Sequence, residues 1–129
     1  MLVSPADLVA VAKATITEHS VTDVERSLNA DTLLIDIREP AEFQKGHIPG
    51  AILLPRGMLE FEIHKLVDVA RSNKDIANAD QPIVLCCGTG GRSALAAQSM
   101  ESMGYTNVSS LAGGIIAWAA AHLPLDLPA

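Results

Sequence analysis

The sequence is poor in the features that define several classes of protein. Aromatic residues make up 3% of the 129 residues, so the core must be built from aliphatic side chains and alanine. The formal net charge is −6 and no basic cluster occurs, which argues against a nucleic-acid partner bound through its phosphates. The longest apolar stretch, LAGGIIAWAAAHLPL, is short of a membrane span and is interrupted by glycine and histidine.

The amino-terminal stretch MLVSPADLVAVAK has no basic leader and no cleavage site, so we do not expect a secretory signal. The length suits one domain with one core. We therefore expect a soluble cytoplasmic protein that has no membrane partner.

Cysteine is also scarce, because the chain has only Cys86 and Cys87. A disulfide between them is disfavoured, since neighbouring Cα atoms lie ~3.8 Å apart and a relaxed disulfide needs more than about 4.4 Å. Two adjacent thiols and four scattered histidines give none of the usual metal-ligand spacings, and we expect no metal and no other cofactor. In a reducing compartment each thiol is then either buried or reactive.

The apolar pattern predicts strands that alternate with helices. Short apolar runs such as LLID and IVLCC are typical of buried parallel strands, and TITEH indicates a short edge strand. SPADLVAVAK predicts an N-terminal helix with Ser4 as its N-cap and Pro5 at its first position. RSALAAQSMESMG predicts a helix with Ala96, Met100 and Met103 on one face. We predict an α/β fold whose mainly parallel, five-stranded sheet has helices on both faces.

A glycine-rich segment, CGTGGR, joins a predicted strand to a predicted helix. Glycines let successive backbone N–H groups turn inward around an anion, and a helix N-terminus adds roughly half a positive charge. Because successive strand residues face opposite sides of a sheet, we expect Cys86 to pack under a helix and Cys87 to open the loop. A thiolate held there is a nucleophile. A core cysteine beside a phosphate-binding turn is the alternative.

Two long segments resemble the rhodanese family. LLIDIREPAEFQKGHIPGAILLP resembles its upstream signature, and CGTGGRSALAAQSMESMGYTNVSSLAGGIIAW resembles its active-site loop, following helix, and closing strand and turn. The resemblance runs from about Thr15 to Leu123, so we expect a helical extension over residues 1–14 and a single rhodanese domain over residues 15–129. Rhodaneses are sulfurtransferases whose cysteine takes sulfane sulfur from a donor such as thiosulfate, becomes a persulfide and passes the sulfur to cyanide, a small thiol or a protein thiol.

Loop length separates two enzyme classes of this fold. Four residues separate Cys87 from Arg92, as in the sulfurtransferases that the sequence resembles, whereas the related phosphatases have one residue more. Cys86 matches the longer count only if it leaves its strand position. The resemblance implies Cys87 as the catalytic nucleophile and a loop that binds substrate and persulfide through Gly88, Thr89, Gly90, Gly91 and Arg92. A persulfide carrier or interaction module without turnover, and a phosphatase or arsenate reductase, are the alternatives.

Further polar residues are candidates for supporting roles. Asp36 ends its strand at the same sheet edge as Cys87 and could pair with Arg92 or with Arg38. Arg92 itself either braces the loop or contacts an anionic donor. The resemblance implies a structural polar cluster in the upstream signature, formed by Arg38, Glu42 and His47.

Three positions bear on substrate access. Arg56 is a candidate for steering an anionic donor toward the loop, with an exposed arginine at a helix start as the alternative. Phe61 is placed either in the pocket wall or in the core. Gly88 stands where many thiosulfate-using relatives carry a basic residue, which weakens the expected attraction for a dianion. The oligomeric state is left open.

Overall fold

A five-stranded sheet forms the centre of the structure, a computed structural model in which residues 1–128 are described. Its strands are β1 (Thr17–His19), β2 (Leu33–Asp36), β3 (Ile52–Leu53), β4 (Ile83–Cys86) and β5 (Val108–Leu111). The strand order is β1-β5-β4-β2-β3, and each neighbouring pair is parallel. The predicted five-stranded sheet is confirmed, and it is parallel throughout.

Within residues 1–128, six α-helices surround this sheet: α1 (Pro5–Lys13), α2 (Val21–Ser27), α3 (Pro40–Gln44), α4 (Leu59–Arg71), α5 (Gly91–Ser102) and α6 (Gly114–Ala120). The N-terminal helix begins as predicted, because Pro5 is its first residue and the Ser4 side chain accepts the backbone N–H of Asp7 at 3.0 Å. Helix α1 packs against α5, and Ala12 is fully buried there. The division at residue 14 into an extension and a domain stays a prediction.

Both faces of the sheet are covered, which explains the continuous apolar runs in its strands. Ile35 and Leu85 pack with α4 and α5 on one face, whereas Leu34 and Val84 pack with α2 and α6 on the other. Trp118 of α6 is buried in the second cluster, and its indole N–H donates to the Pro124 carbonyl at 2.8 Å. Helices on both faces are thereby confirmed.

One expectation about a side chain is wrong, and one of two alternatives for another is excluded. Helix α5 ends at Ser102, and Met103 is 45% exposed. The chain turns at Gly104, and Tyr105 packs against the core instead. The core alternative for Phe61 is excluded, because its side chain is 72% exposed, and a place in the pocket wall stays a prediction. Phe61 lies two residues from the buried Ile63, so the helical period turns it toward solvent.

No helix within residues 1–128 has the length and apolar character that crossing a bilayer requires.

Helix α4 offers a matched test of the core. Ile63 is fully buried against the sheet, and Val69 of the same helix is 77% exposed. We expect Ile63→Ala to lower the free energy of unfolding by about 2–5 kcal/mol through lost burial and a residual cavity. Val69→Ala should change it by less than about 0.5 kcal/mol. Urea denaturation measures both, and equal losses would contradict this description of α4.

Candidate active site

Cys87 is the first residue after β4, at the carboxyl edge of the sheet where ligands of parallel α/β folds bind. Cys86, the last residue of β4, packs in the cluster with α2 and α6, and Cys87 packs in the cluster with α4 and α5. Strand alternation therefore separates the two thiols as predicted. Both are free cysteines, and both are buried, with exposures of 0% and 1%.

The sulfur of Cys87 lies in a small cradle of donors. The backbone N–H groups of Gly90 and Ser93 point at Sγ, with N···S distances of 3.1 and 3.4 Å. The thiol in turn donates to the Ser93 hydroxyl at 3.5 Å. Gly90 belongs to the predicted loop, but Ser93 lies outside it and was missed. Its position could have indicated this role, because Ser93 lies in the first turn of a predicted helix, where backbone N–H groups have no partner within the helix and are free to bind another acceptor.

The first turn of α6 hydrogen-bonds to the backbone of the loop. The N–H groups of Ile115 and Ile116 donate to the carbonyl oxygens of Cys87 and Gly88 at 2.9 and 3.1 Å. This approach needs glycine at position 114, which has a φ of +61°, because a Cβ there would overlap both carbonyl oxygens. The pair GG of LAGGII was thus a positional signal that sequence reasoning did not use.

Arg92 braces the loop against α3. Its guanidinium donates to both carboxylate oxygens of Glu42, at 2.7 and 3.0 Å. Glu42 also accepts the backbone N–H of Glu39 at 3.1 Å, so one carboxylate caps α3 and holds the loop arginine. The hydrogen bonds from Arg92 lower the pKa of Glu42 to about 2. Glu42 similarly raises the pKa of Arg92, and the nearby Cys87 contributes to that rise.

Asp36 pairs with Arg38, which decides between the two partners that the sequence left open. The Nε and Nη2 atoms of Arg38 donate to the Asp36 carboxylate at 2.8–3.2 Å, and Nη2 also donates to the Gly46 carbonyl at 2.8 Å. Both side chains are buried. The pair joins the end of β2 to the turn after α3, so Arg38 has a supporting position.

Cys86 lies beside this ion pair, since Asp36 is its register partner on β2. Burial, with Asp36 adding to it, raises the pKa of the Cys86 thiol well above its ordinary value. At neutral pH Cys86 is therefore a protonated thiol and a poor nucleophile.

Three candidates remain, namely Arg56, Thr89 and Gly88. Arg56 donates to both oxygens of Glu60 at 2.8 Å and to the hydroxyl of Ser99, which lies about two turns along α5. A steering role for Arg56 stays a prediction. Thr89 is exposed on the loop. A Cβ on Gly88 would lie 3.2 Å from Nη2 of Arg92, so a side chain there would crowd the loop arginine.

A parallel α/β sheet whose strand end carries a cysteine loop closed by arginine defines a class that includes both sulfurtransferases and phosphatases. A family model, the Rhodanese-like domain, matches residues 20–121. The chain belongs to the rhodanese-like family, as its sequence resemblance predicts.

Among known proteins, the chain is 37% identical over 98 residues to a sulfurtransferase of Allochromatium vinosum, covering 76% of this chain and 81% of the relative. A structure from Rhodopseudomonas palustris, described as a protein of unknown function and possible tyrosine phosphatase, superposes with a TM-score of 0.78. That pair is 29% identical and covers 98% of this chain and 96% of the other.

The polysulfide-sulfur transferase homodimer of Wolinella succinogenes superposes with a TM-score of 0.73 at 28% identity, over 92% of this chain and 84% of the other. Relatives of this kind support sulfur transfer as the general class of reaction.

The Arg92–Glu42 ion pair generates a prediction about pH. The pKa of Glu42 is lowered in the folded state from 4.5 to about 2, so its contribution to stability is complete above pH 4.5 and is lost as the pH falls toward 2. Glu42→Gln should therefore be less stable than the wild type at pH 6, and the difference should shrink between pH 4.5 and 2. Urea denaturation across this range measures it; a difference independent of pH would contradict the ion pair.

The close approach of α6 to the loop generates a second prediction. Gly114 and Gly104 both have positive φ, but only Gly114 faces backbone atoms that a Cβ would overlap. Gly104→Ala should cost about 1–2 kcal/mol for the left-handed conformation alone. Gly114→Ala should cost more and should also change the rate of Cys87 alkylation by iodoacetamide, because the loop carbonyls must move. Identical behaviour of the two variants would contradict this packing.

Proposed function

We propose that this protein transfers sulfane sulfur through a persulfide on Cys87. The observation that carries the proposal is the position of Sγ, at the carboxyl end of β4 and within 3.1–3.4 Å of two backbone N–H donors. These donors stabilise a thiolate, which is the nucleophilic form. The surroundings of Cys86 are different. Burial and the neighbouring Asp36 raise the pKa of its thiol, so it stays protonated.

The reaction is a double displacement. The Cys87 thiolate attacks the outer sulfur of the donor; with thiosulfate, the S–S bond breaks and sulfite leaves with the bonding electrons. The acceptor, which is cyanide, a small thiol or a protein thiol, then attacks the outer sulfur of the persulfide. The bond between the two sulfurs breaks, and its electrons return to Cys87 as the thiolate.

The loop backbone supplies the donors for the outer sulfur. The C=O groups of Cys87 and Gly88 point toward α6, where they accept hydrogen bonds. Because the C=O and N–H of a trans peptide point in opposite directions, the N–H groups of Gly88 and Thr89 face away from α6. They are available to a donor or persulfide at the mouth of the loop. Gly91 and Arg92 continue the loop into α5.

The charge near the cysteine loop affects which sulfur donor the site attracts. Arg92 is paired with Glu42, and Gly88 adds no cation. A dianion such as thiosulfate is therefore attracted less strongly than it would be by a basic residue at position 88. We propose a sulfane sulfur donor as the substrate class, and thiosulfate as its convenient probe. The cytoplasm suits a chain whose two cysteines are both free.

A phosphatase is the second candidate, favoured by the description of the Rhodopseudomonas palustris structure. Two observations on this chain oppose it. Four residues separate Cys87 from Arg92, which makes a small cradle. The guanidinium of Arg92, which a phosphate ester would need as a partner, already donates to both carboxylate oxygens of Glu42. We expect no hydrolysis of p-nitrophenyl phosphate, and hydrolysis that depends on Cys87 would overturn the proposal.

The adjacent cysteines are a matched pair for the decisive experiment. After incubation with thiosulfate and removal of excess donor, mass spectrometry should find one added sulfur atom on Cys87 in the wild type and in Cys86→Ser. Cys87→Ser should carry none and should release no thiocyanate from cyanide. Cys86→Ser should mainly lower stability, because it places a hydroxyl in an apolar cluster.

The two stages of this experiment separate the remaining alternatives. Sulfur on Cys87 that cyanide and thiols cannot remove would indicate a persulfide carrier that needs a specific partner. Sulfur on Cys86, or activity lost in folded Cys86→Ser and kept in Cys87→Ser, would refute the assignment.

A further inference from the structure

A pair of buried hydroxyls lies directly beneath the cradle. Ser93 is in the first turn of α5, and Ser110 is on β5, where both side chains are fully buried. Their Oγ atoms are 2.7 Å apart, the distance of a strong O–H···O hydrogen bond. The side chain of Ser110 is hydrogen-bonded to Ser93 and not to the sulfur, so we argue its role through Ser93.

Ser93 can arrange its one proton in two ways. Its Oγ lies 3.5 Å from Cys87 Sγ, 3.3 Å from the Gly90 carbonyl and 2.7 Å from Ser110 Oγ. A hydroxyl donates one hydrogen bond and accepts two. When Cys87 is a thiol, it donates to Ser93, and Ser93 donates to the Gly90 carbonyl or to Ser110.

When Cys87 is a thiolate, this arrangement can reverse. A thiolate can only accept, and Ser93 is close enough to turn its O–H toward Sγ and become a further donor to it. Its oxygen then needs a donor, and Ser110 is placed to provide it. The Gly90 carbonyl loses little, because it keeps the backbone hydrogen bond from Ala94 at 3.2 Å.

We propose that Ser110 is a positioning residue for the nucleophile. By donating to Ser93 it fixes the direction of the Ser93 hydroxyl, which then joins the N–H groups of Gly90 and Ser93 as a third donor to the Cys87 thiolate. The inference rests on the proposed role of Cys87 and deepens it. No proton is transferred along the pair; only the orientation of two hydroxyls changes.

The pH dependence of Cys87 alkylation by iodoacetamide tests this directly. The alkylation rate follows the thiolate fraction, and mass spectrometry locates the label. Ser110→Ala should move the midpoint of the pH–rate profile upward by about half to one pH unit, which is part of the roughly one to two units that a hydrogen bond to a charged acceptor contributes, because Ser110 only orients that hydrogen bond. Ser109→Ala is the matched control, because Ser109 is its neighbour on β5 and faces the other side of the sheet. That control should leave the midpoint unchanged.

The charged and titratable groups of the elements around Cys87 are the same in all these variants. Strand β5 and helix α6 carry no ionisable side chain, and α1 meets the loop through the apolar Val9. On the other elements, the groups in the loop or next to it are Arg92 of α5, Glu42 of α3 and Cys86 of β4, with the pair Asp36 and Arg38 beside Cys86. Helices α1, α4 and α5 carry further charged or titratable side chains, and Arg56 precedes α4 and pairs with Glu60; those on the helices are Asp7, Lys13, Glu60, Glu62, His64, Lys65, Asp68, Arg71 and Glu101.

A double-variant cycle distinguishes positioning through Ser93 from a general structural effect. Ser93→Ala should shift the midpoint at least as far as Ser110→Ala. In the double variant, Ser110→Ala should add no further shift, because the hydroxyl that it orients is gone. Circular dichroism checks that each variant is folded, and if Ser110→Ala does not fold, an unchanged midpoint in folded Ser93→Ala still overturns the inference.

Unchanged midpoints in folded Ser110→Ala or Ser93→Ala would overturn the inference, and so would additive shifts in the double variant. The readout needs no sulfur donor. A wild-type protein that fails to take sulfur from thiosulfate would therefore count against the proposed function alone, whereas a normal persulfide with unchanged midpoints would count against Ser110 alone.

Discussion

The site depends on the backbone contact between α6 and the cysteine loop. Two N–H groups of the first turn of α6 take the carbonyl oxygens of Cys87 and Gly88, and the missing Cβ of Gly114 allows the approach. Because these two carbonyl groups point toward α6, the N–H groups of the same planar peptides, those of Gly88 and Thr89, point away from α6. The orientation of these loop N–H groups is thus a consequence of the packing of α6, and a side chain at position 114 would disturb it without touching the sulfur.

The two-sided core gives adjacent cysteines different surroundings. Strand β4 is covered on both faces, so one step along it moves a thiol from one apolar cluster to the other. Cys86 lies beside Asp36 and stays protonated, because burial and that carboxylate both oppose a thiolate. Cys87 is equally buried but meets N–H donors at the end of the strand. Their burial is the same, so the difference between the two sulfurs lies in the backbone donors at the strand end.

Two arginines near the loop are each paired with a carboxylate. Glu42 caps α3 and holds Arg92, and Asp36 holds Arg38. Both guanidinium groups are therefore engaged in bracing the structure, and the mouth of the loop carries little net positive charge from them. The hydrogen-bond donors that remain in the loop are mainly backbone N–H groups.

Much of this protein was determined by the sequence itself. Apolar runs and glycine stops predict the five-stranded sheet, Ser4 and Pro5 predict the start of α1, and strand alternation with the count to Arg92 predicts which cysteine opens the loop. These features are local, since they depend on period, caps and spacing. The tertiary structure alone decided that Arg92 pairs with Glu42, that Phe61 faces solvent, and that Ser93 and Ser110 meet below the sulfur. Each of these joins residues distant in the chain or depends on which face of a helix is covered, and no local pattern specifies such contacts.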